Sequence, residues 1–447
     1  MDRNTVQTVH AEYREHVSLW ELWRNAYFGG RAYVQRALES HRLENARDFS
    51  RRLSRATLLN YVRPICDTYA NYLFRPAWEL RVPPMGRALL RDADRRGTSL
   101  LDFMKGLMPL TAAVGFCVIG IDEPPMPDGT VPRNKAARDA LGVRPYLYYV
   151  APMDLLNWQA DADGRFTFAL VRESRWPGTG SPGRGGRPET GVYRAWTPDE
   201  CTVVDGNGEV LARYENRTGE VPLVSLQYRD VGDPVIGQGL GQDLEPVQAH
   251  ILNVASLLSE IFFRQTFSQL VAEGSAEEYG EQGDISRLGT ASIFLYPEGR
   301  SASQYISPDA TQAELLMSEI DRSIDEIYRL ANLTRGSVRE GRQQSGISKA
   351  FDFLDTNQAL ADVGRNVASA ATNALRIAGL WAGWPTDEIV VRPPVDYGIV
   401  DLDGDIDRLK ALVDAGADES LVKAIQERIA ATMFPDHTKA SSGKGAR

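Results

Sequence analysis

Two apolar seams with a period near 3.5 residues constrain this chain more than any other feature. Leu240, Leu244, Val247, Ile251, Val254, Leu258 and Ile261 recur at spacings of 4, 3, 4, 3, 4 and 3. That rhythm puts a narrow apolar stripe on one side of a helix. Met317, Ile320, Ile324, Ile327 and Ala331 repeat it at 3, 4, 3 and 4. The spacing predicts a first helix from Leu240 to Ala272, roughly 50 Å long at about 1.5 Å per residue. A second helix is expected to lie antiparallel against it, with a compact insertion between the two. The remaining faces are acidic. Residues 237–334 hold 15 Asp and Glu against 5 Arg and no Lys, a net of −10, which equals the net charge of the whole chain. Everything outside this stretch therefore sums to neutral, and the concentration of charge on one helical pair requires an explanation.

A chain of 447 residues, 43% hydrophobic and 25% charged, has the composition of a soluble globular protein of two or three domains. Its longest uncharged run, Gly106 to Ile121, is 16 residues broken by Pro109 and Gly115, too short and too interrupted to span a bilayer. The charged start, MDRNTVQTVHAEYREH, carries no secretory signal. Cys66, Cys117 and Cys201 are scattered and odd in number, which fits a reducing compartment and argues against a disulfide framework. A pI near 5.2 disfavours binding of nucleic acid by phosphate neutralisation. It does not disfavour a surface along which nucleic acid slides.

Residues 1 to about 112 read as mostly helical. Trp20, Trp23, Tyr27 and Phe28 form a stripe at helical spacing whose simplest role is core packing. The Arg-rich stretch 42–75 is interleaved with acids, Leu and Tyr, so it is expected to be a solvated or subunit-facing helix surface. From about Gly115 to Asp230 the period changes to two: FCVIGID, RPYLYYVAP, RFTFALVRES, VYRAWT, CTVVD, EVLARYE and VPLVSLQYR are strand candidates. Asp128-Gly129, Asp163-Gly164 and Gly206-Asn207-Gly208 are turn signals between them, and residues 178–191 read as a flexible loop. The pattern predicts a mainly antiparallel β-domain. After the acidic pair, TRGSVREGRQQSG (334–346) has no apolar period. A third long helix is expected from about Ile347 to Gly383, stopped by Trp384-Pro385, then one strand (EIVVRP) and one or two helices within 405–434.

No catalytic constellation emerges. Gly237-Gln238-Gly239-Leu240-Gly241 follows a strand and opens a helix, yet its spacing departs from a dinucleotide fingerprint, and a flexible joint is the expected role. Asp401, Asp403, Asp405 and Asp407 sit in DLDGDID, where the Gly and the bidentate Glu of a calcium loop are misplaced. Acids favoured at a helix N-terminus explain that run better. The five His have neither metal spacing nor Cys companions, and His250 reads as a polar-face residue. No cofactor and no metal are expected.

The order of parts resembles the portal proteins of tailed bacteriophages. The segments that carry the resemblance are RPYLYYVAPMDLLNWQAD (144–161), VPLVSLQYRD leading to GQGLGQDLEPVQAHILN (221–253), ASIFLYP (291–297), TRGSVREGRQQSG (334–346) and SGISKAFDFLDTNQALADVG (345–364). The resemblance implies an α+β subunit with a wing, a two-helix stem, a small α/β clip, a tunnel loop, a long bent helix and a short helical crown. On this chain the wing's N-terminal helical part is expected at 1–112 and its β-rich part at 113–236. The first stem helix falls at 237–273, the clip at 274–310, the second stem helix at 311–333 and the tunnel loop at 334–346. The long helix covers 347–384, the C-terminal wing and crown 385–434, and a disordered tail 435–447.

The same resemblance implies a non-enzymatic homo-oligomeric ring, most often of twelve subunits, at one capsid vertex of the virion, assembled in the bacterial host cytoplasm. Double-stranded DNA passes through it during packaging and ejection. The implied partners are large terminase, a head-completion adaptor, capsid and scaffolding proteins, with no membrane. Arg335, Arg339, Arg342 and Gln343 are the expected DNA-contacting residues of the tunnel loop. Asp243, Glu245, Glu260, Glu319, Asp321, Asp325 and Glu326 are the expected acidic stem residues facing the channel, where they would repel phosphate. Glu277, Glu278, Glu281 and Asp284 are expected in the clip as partner contacts. The competing readings are another ring-forming virion adaptor, a nucleotide-dependent enzyme using the Gly237–Gly241 turn, and a membrane pore, which the lack of a spanning segment contradicts.

Overall fold

A computed structural model describes residues 8–123, 143–175, 189–265, 269–273, 293–296, 304–306, 311–333, 346–395, 397, 402–414 and 418–433. The fold is α+β. It divides into two compact units, one built from residues 1–27, 62–242 and 331–447, the other from 28–61 and 243–330.

The first unit opens with helix α1 (Ala11–Phe28). Trp20 is buried and meets the Phe116 ring edge-on at 5.2 Å, so the aromatic stripe packs the core as its spacing predicts. The stripe ends there: Phe28 is 45% exposed. Helices α2 (Gly30–Ala37) and α3 (Ala46–Arg55) belong to the second unit, and α4 (Val62–Leu73) returns to the first. Strand β1 (Glu79–Arg81) and the short helix α5 (Arg87–Arg91) lead to α6 (Leu100–Val114). The Ser99 side chain caps α6 by accepting from the Asp102 amide at 3.2 Å. Gly115, at a φ of +115°, stops it. Leu100, Met104, Leu107 and Met108 recur at helical spacing and are all buried.

Strand β2 (Phe116–Asp122) lies between β3 (Tyr146–Val150) and β9 (Leu223–Gln227), antiparallel to both. Its FCVIGI run is buried on both faces, which is why it shows no polar alternation. Strands β4 (Leu155–Ala160), β5 (Phe166–Arg175), β6 (Glu189–Trp196), β7 (Glu200–Val204) and β8 (Val210–Glu215) form a five-stranded antiparallel meander in sequence order. Gly164 and Gly208, at φ of +77° and +85°, supply its tight turns.

In the C-terminal part the 37-residue helix α9 (Gly346–Ala382) lies over β9 and β2, burying Ala370, Ala371, Ala374 and Ala378. Gly383 at φ +71° ends it, with the Trp384 amide turned back onto the Gly379 carbonyl at 3.0 Å. Strand β13 (Val390–Arg392) pairs antiparallel with β1. Two short helices follow, α10 (Leu402–Asp414) and α11 (Glu419–Met433). Asp403, Asp405 and Asp407 fall in the first turns of α10, as the helix dipole favours, and Asp401 lies outside the described residues.

The second unit holds α2, α3 and the helical pair. Helix α7 spans Gly241–Gln265 and α8 spans Thr311–Leu330. Between them, β10 (Gln269–Glu273) pairs parallel with β11 (Ile293–Tyr296) and antiparallel with β12 (Gln304–Ile306). The first helix is therefore shorter than the seam predicts: Gln269–Glu273 is a strand, because its backbone groups go to two neighbouring strands. The seam of α7 packs inward at Leu244, Ile251 and Val254, and that of α8 at Ile324 and Ile327. Met317, read as the first seam residue of α8, is 51% exposed, because the apolar contact begins further along the helix.

Candidate functional site

The glycine-rich turn is not a flexible joint. Its segment is wedged against the last turn of α6. The Leu240 amide donates to the Ala112 carbonyl at 2.7 Å, and the Gln238 amide to the Arg229 carbonyl at 3.0 Å. A Cβ on Gly237 would stand 2.6 Å from the Gly115 oxygen, on Gly239 2.5 Å from the Gly115 nitrogen, and on Gly241 2.2 Å from the Ala113 oxygen. Backbone lies directly on backbone, which is what selects glycine at these positions. Two amides that a phosphate would need are already spent inside the fold. The nucleotide reading of this turn loses its basis.

The acidic residues of the helical pair are distributed differently from the open face the sequence suggests. Glu245 is 7% exposed and accepts a hydrogen bond at 2.9 Å from the hydroxyl of Tyr33, itself fully buried. Burial pushes the Glu245 carboxyl above its ordinary value. A carboxyl enclosed by its own subunit does not line a channel, so that expectation is corrected for Glu245. Glu260 is ion-paired with Arg55, whose guanidinium also lies 4.0 Å from the centre of the Phe263 ring.

On α8, Glu319 accepts from Arg322 Nε at 2.8 Å and Nη2 at 2.6 Å, and lies 3.0 Å from His250 Nε2 on α7. The Arg322 hydrogen bonds, followed by the His250 contact, hold its carboxyl down to about 2. Glu326 accepts from Arg329 at 2.8 and 2.6 Å, which lowers its pKa in the same way. Asp243 and Asp321 are half-buried and Asp325 is exposed. Four of the acids expected to repel phosphate are thus buried or compensated within the subunit.

The compensating charge comes partly from the Arg-rich stretch. Arg52 is 3% exposed. It donates from Nε and Nη2 to the two Glu44 carboxylate oxygens at 2.9 and 2.7 Å, from Nη1 to Ser256 Oγ at 2.7 Å, and from Nη2 to the Glu39 carbonyl at 2.6 Å. The expected solvated surface is in this respect an internal fastening of α3 to α7. Asn253 extends it, with its amide nitrogen on the Ala37 carbonyl and its oxygen on the Glu39 amide, both at 2.9 Å. Sequence reasoning missed Tyr33, Arg52, Asn253 and Ser256 as one constellation because nothing in local spacing joins residues 28–61 to residues 243–260.

Pro246, Val247 and His250 of α7 and Arg322, Ser323 and Glu326 of α8 line a shallow hollow of about 220 Å³. Arg335, Arg339, Arg342 and Gln343 lie outside the described residues, as do Glu277, Glu278, Glu281 and Asp284. Among the described residues one group, Glu12, Glu15 and His16 on α1, offers donor atoms within 4.8 Å of one another. Its contact is an i,i+4 pair, His16 to Glu12 at 3.4 Å, and no metal is assigned to it. Among the described residues no helix is long and apolar enough to cross a membrane.

No protein-family model and no curated protein matches the chain. Many solved chains share a loose similarity with it, among them the following three. A chain of the virion of a native gene transfer agent (GTA) particle is 14% identical at a TM-score of 0.37, over 89% of this chain and 88% of that one. A chain of the neck of the empty GTA particle, computed with C6 symmetry, gives 14% and 0.37 over 89% of each. A chain of the neck of the native GTA particle, computed with C12 symmetry, gives 14% and 0.36 over 88% of this chain and 95% of that one. Superpositions this loose carry no functional conclusion.

Proposed function

We propose that this protein is the subunit of a portal ring in a tailed-phage-like particle, a non-enzymatic conduit for double-stranded DNA at one capsid vertex. One observation carries the reading: two seam-bearing helices, α7 and α8, interrupted by a small three-stranded insertion and followed by the 37-residue α9. This is the order in which stem, clip, stem and long helix are expected from the family the sequence resembles. Copies side by side would cover the lateral faces of α7 and α8 and leave the rest of the pair to the lumen.

The charge pairing on α8 modifies the expected mechanism. A surface on which Glu319 and Glu326 are each matched by an arginine presents a weaker negative field to a passing phosphate backbone than five acids alone would. The helix still carries a net charge of −3, so DNA would slide past it under moderated repulsion. The transient phosphate contacts are then assigned to Arg335, Arg339 and Arg342, with Gln343 beside them, in the Gly-containing segment between α8 and α9. Glu277, Glu278, Glu281 and Asp284, in the insertion, are assigned to docking of terminase and of the head-completion adaptor.

Negative-stain electron microscopy with native mass measurement tests the reading. A ring of about a dozen copies around a central hole is expected. A chain that stays monomeric alone, with scaffold and with capsid protein would remove the portal assignment. Replacing Arg335, Arg339 and Arg342 with Ala is expected to impair DNA retention, and unchanged retention and packaging would take the loop out of the mechanism.

A further inference from the structure

The five-stranded meander has two edges, and the chain treats them differently. At β4 the edge is occupied. The His10 amide donates to the Leu156 carbonyl at 2.9 Å, and Val9 and Tyr13 pack on the cluster of Leu156, Leu170 and Ala195. At β8, among the described residues, no further strand pairs beyond β7. Five of its six side chains are exposed, Leu211 at 48% and Tyr214 at 50% among them. Its sequence, VLARYE, holds neither proline nor lysine, the residues that commonly keep an edge strand from pairing.

The hydrogen bonds on the inner side of β8 fix which backbone groups look outward. The Asn216 amide donates to the Asp199 carbonyl at 2.8 Å, and the register runs Glu215↔Glu200, Tyr214↔Cys201, Arg213↔Thr202 and Ala212↔Val203. Hydrogen-bonded and non-hydrogen-bonded pairs alternate along an antiparallel ladder. Tyr214 and Ala212 therefore spend their amides and carbonyls on β7, and those of Arg213 and Glu215 point away from the sheet. The charges on this edge are unbalanced. Glu215 stands directly opposite Glu200, a like-charge pairing that weakens a ladder. The Arg213 guanidinium approaches Glu200, at 3.9 Å, and Glu215 has no ion pair among the described residues.

We propose that β8 of one copy adds antiparallel to β8 of a second copy, with Tyr214 on the two-fold axis. In this register Arg213 lies opposite Glu215 of the second copy, and Glu215 opposite its Arg213. These residues carry the outward backbone groups, so each such pair exchanges both of its N–H···O bonds, and the two Tyr214 side chains meet at the non-hydrogen-bonded position between them. An axis at Arg213 or at Glu215 keeps the backbone match but sets Arg against Arg or Glu against Glu. An axis at Ala212 carries Arg213 onto the bulged start of the strand. An axis between two residues faces outward groups with groups already bonded to β7. Charge and backbone together select one self-pairing, a strand addition that makes one sheet continuous across two copies. The contact is isologous and closes on itself, so it is separate from the heterologous contact of a ring and does not rest on the ring reading.

The test is disulfide trapping in the full-length chain. Tyr214→Cys places two thiols at facing non-hydrogen-bonded positions, about 4.5 Å apart between Cα atoms, a separation that a disulfide spans. Cys201 lies opposite Tyr214 on β7, so Cys201→Ala accompanies it, and Cys66 and Cys117 are buried. Mild oxidation is expected to link this variant into a dimer through position 214, and to leave Arg217→Cys in the same background unlinked. Adding Arg213→Glu, or Glu215→Arg, sets like charges opposite one another and is expected to abolish the link. An equimolar mixture of those two is expected to restore it as a mixed dimer. Circular dichroism separates loss of pairing from loss of fold. Should Cys201→Ala unfold the chain, Arg213→Glu and Glu215→Arg are compared singly and mixed by sedimentation velocity, with the same loss and recovery of the dimer expected. A yield no higher than that of Arg217→Cys, or one that charge reversal leaves unchanged, would overturn the pairing. Rings without the link would remove this contact and leave the ring reading standing, and a link without rings would do the reverse.

Discussion

The Tyr33 hydroxyl donates to Glu245 at 2.9 Å, joining helix α2 to the first turns of α7 through two side chains withdrawn from water. Burial raises the Glu245 pKa above its ordinary 4.5, the Tyr33 hydrogen bond opposing the shift. A folded pKa above the unfolded one contributes stability at low pH that is lost as pH rises through the folded value. Glu245→Gln keeps an acceptor for Tyr33 and removes that loss, so it is expected to unfold at a higher temperature than wild type at neutral pH and to differ little near pH 4. Tyr33→Phe leaves the carboxylate without its donor and is expected to destabilise by about 1–3 kcal/mol. Thermal melts at both pH values decide it. A destabilised Glu245→Gln at neutral pH would show that the charge, and not the hydrogen bond, holds the helices.

The α7 and α8 seams were legible because each lies within one helix, where period alone fixes a buried face. The strands β3 to β9 were legible for the same reason, their alternation and turn glycines being local, and β2 was legible as a short apolar run opened by Gly115. What the sequence hid is long-range. Arg52 and Ser256 are 204 residues apart, and no spacing rule distinguishes an arginine aimed at a distant serine from one aimed at solvent. Gly239 was misread for a related reason. A glycine chosen for freedom and a glycine chosen because a carbonyl lies against it look the same until the second segment is placed. The end of α7 was overrun because QLVAE is compatible with helix, and only pairing to β11 and β12 makes it a strand.

Gly241 allows a test in which two effects have opposite signs. It is the first residue of α7, and in a free helix Ala in place of Gly stabilises by about 0.5–1 kcal/mol. Here the added Cβ would stand 2.2 Å from the Ala113 oxygen and 2.8 Å from Trp23 Cβ, and such overpacking costs about 1–3 kcal/mol. Gly241→Ala and Gly239→Ala are therefore expected to lower the melting temperature, while Gly106→Ala, in α6 with open space around it, is not. A stabilised Gly241→Ala would return the turn to the role of a flexible joint.

Arg52 is the fastening of α3. Its guanidinium serves Glu44, Ser256 and the Glu39 carbonyl together. Its hydrogen bonds hold the Glu44 carboxyl below the usual carboxylate range. Removing one partner of a buried pair costs about 3–5 kcal/mol, because the other charge is left uncompensated. Arg52→Ala is expected to fall in that range by urea unfolding. Arg52→Lys retains the charge but not the planar fork, and is expected to lie between Ala and wild type. Equal losses for Ala and Lys would mean that geometry alone matters at this site, and no loss for either would remove it as a fastening.

Glu319 links the helical pair in a manner that pH can read. Its carboxyl accepts from Arg322 on its own helix and lies 3.0 Å from His250 Nε2 on α7. Its folded pKa is held down to about 2 from an ordinary 4.5. A depressed carboxylate pKa contributes stability that is complete above the unfolded value and disappears as pH falls through the folded one. The window is therefore about pH 4.5 down to about pH 2. Glu319→Gln is expected to remove the contribution, so the melting curves of variant and wild type should separate above that window and converge toward its lower end. The charges are at the surface, so the separation is expected to be small and to shrink in 1 M salt, where the screening length is about 3 Å. His250→Ala tests the inter-helix half of the contact: if Glu319 fastens α7 to α8 and not only to Arg322, this variant reproduces part of the Glu319→Gln effect at neutral pH. Wild-type and Glu319→Gln curves that run parallel from pH 7 to pH 2 would show that the α7–α8 pairing is held by Ile251, Ile324, Ile327 and their apolar neighbours alone.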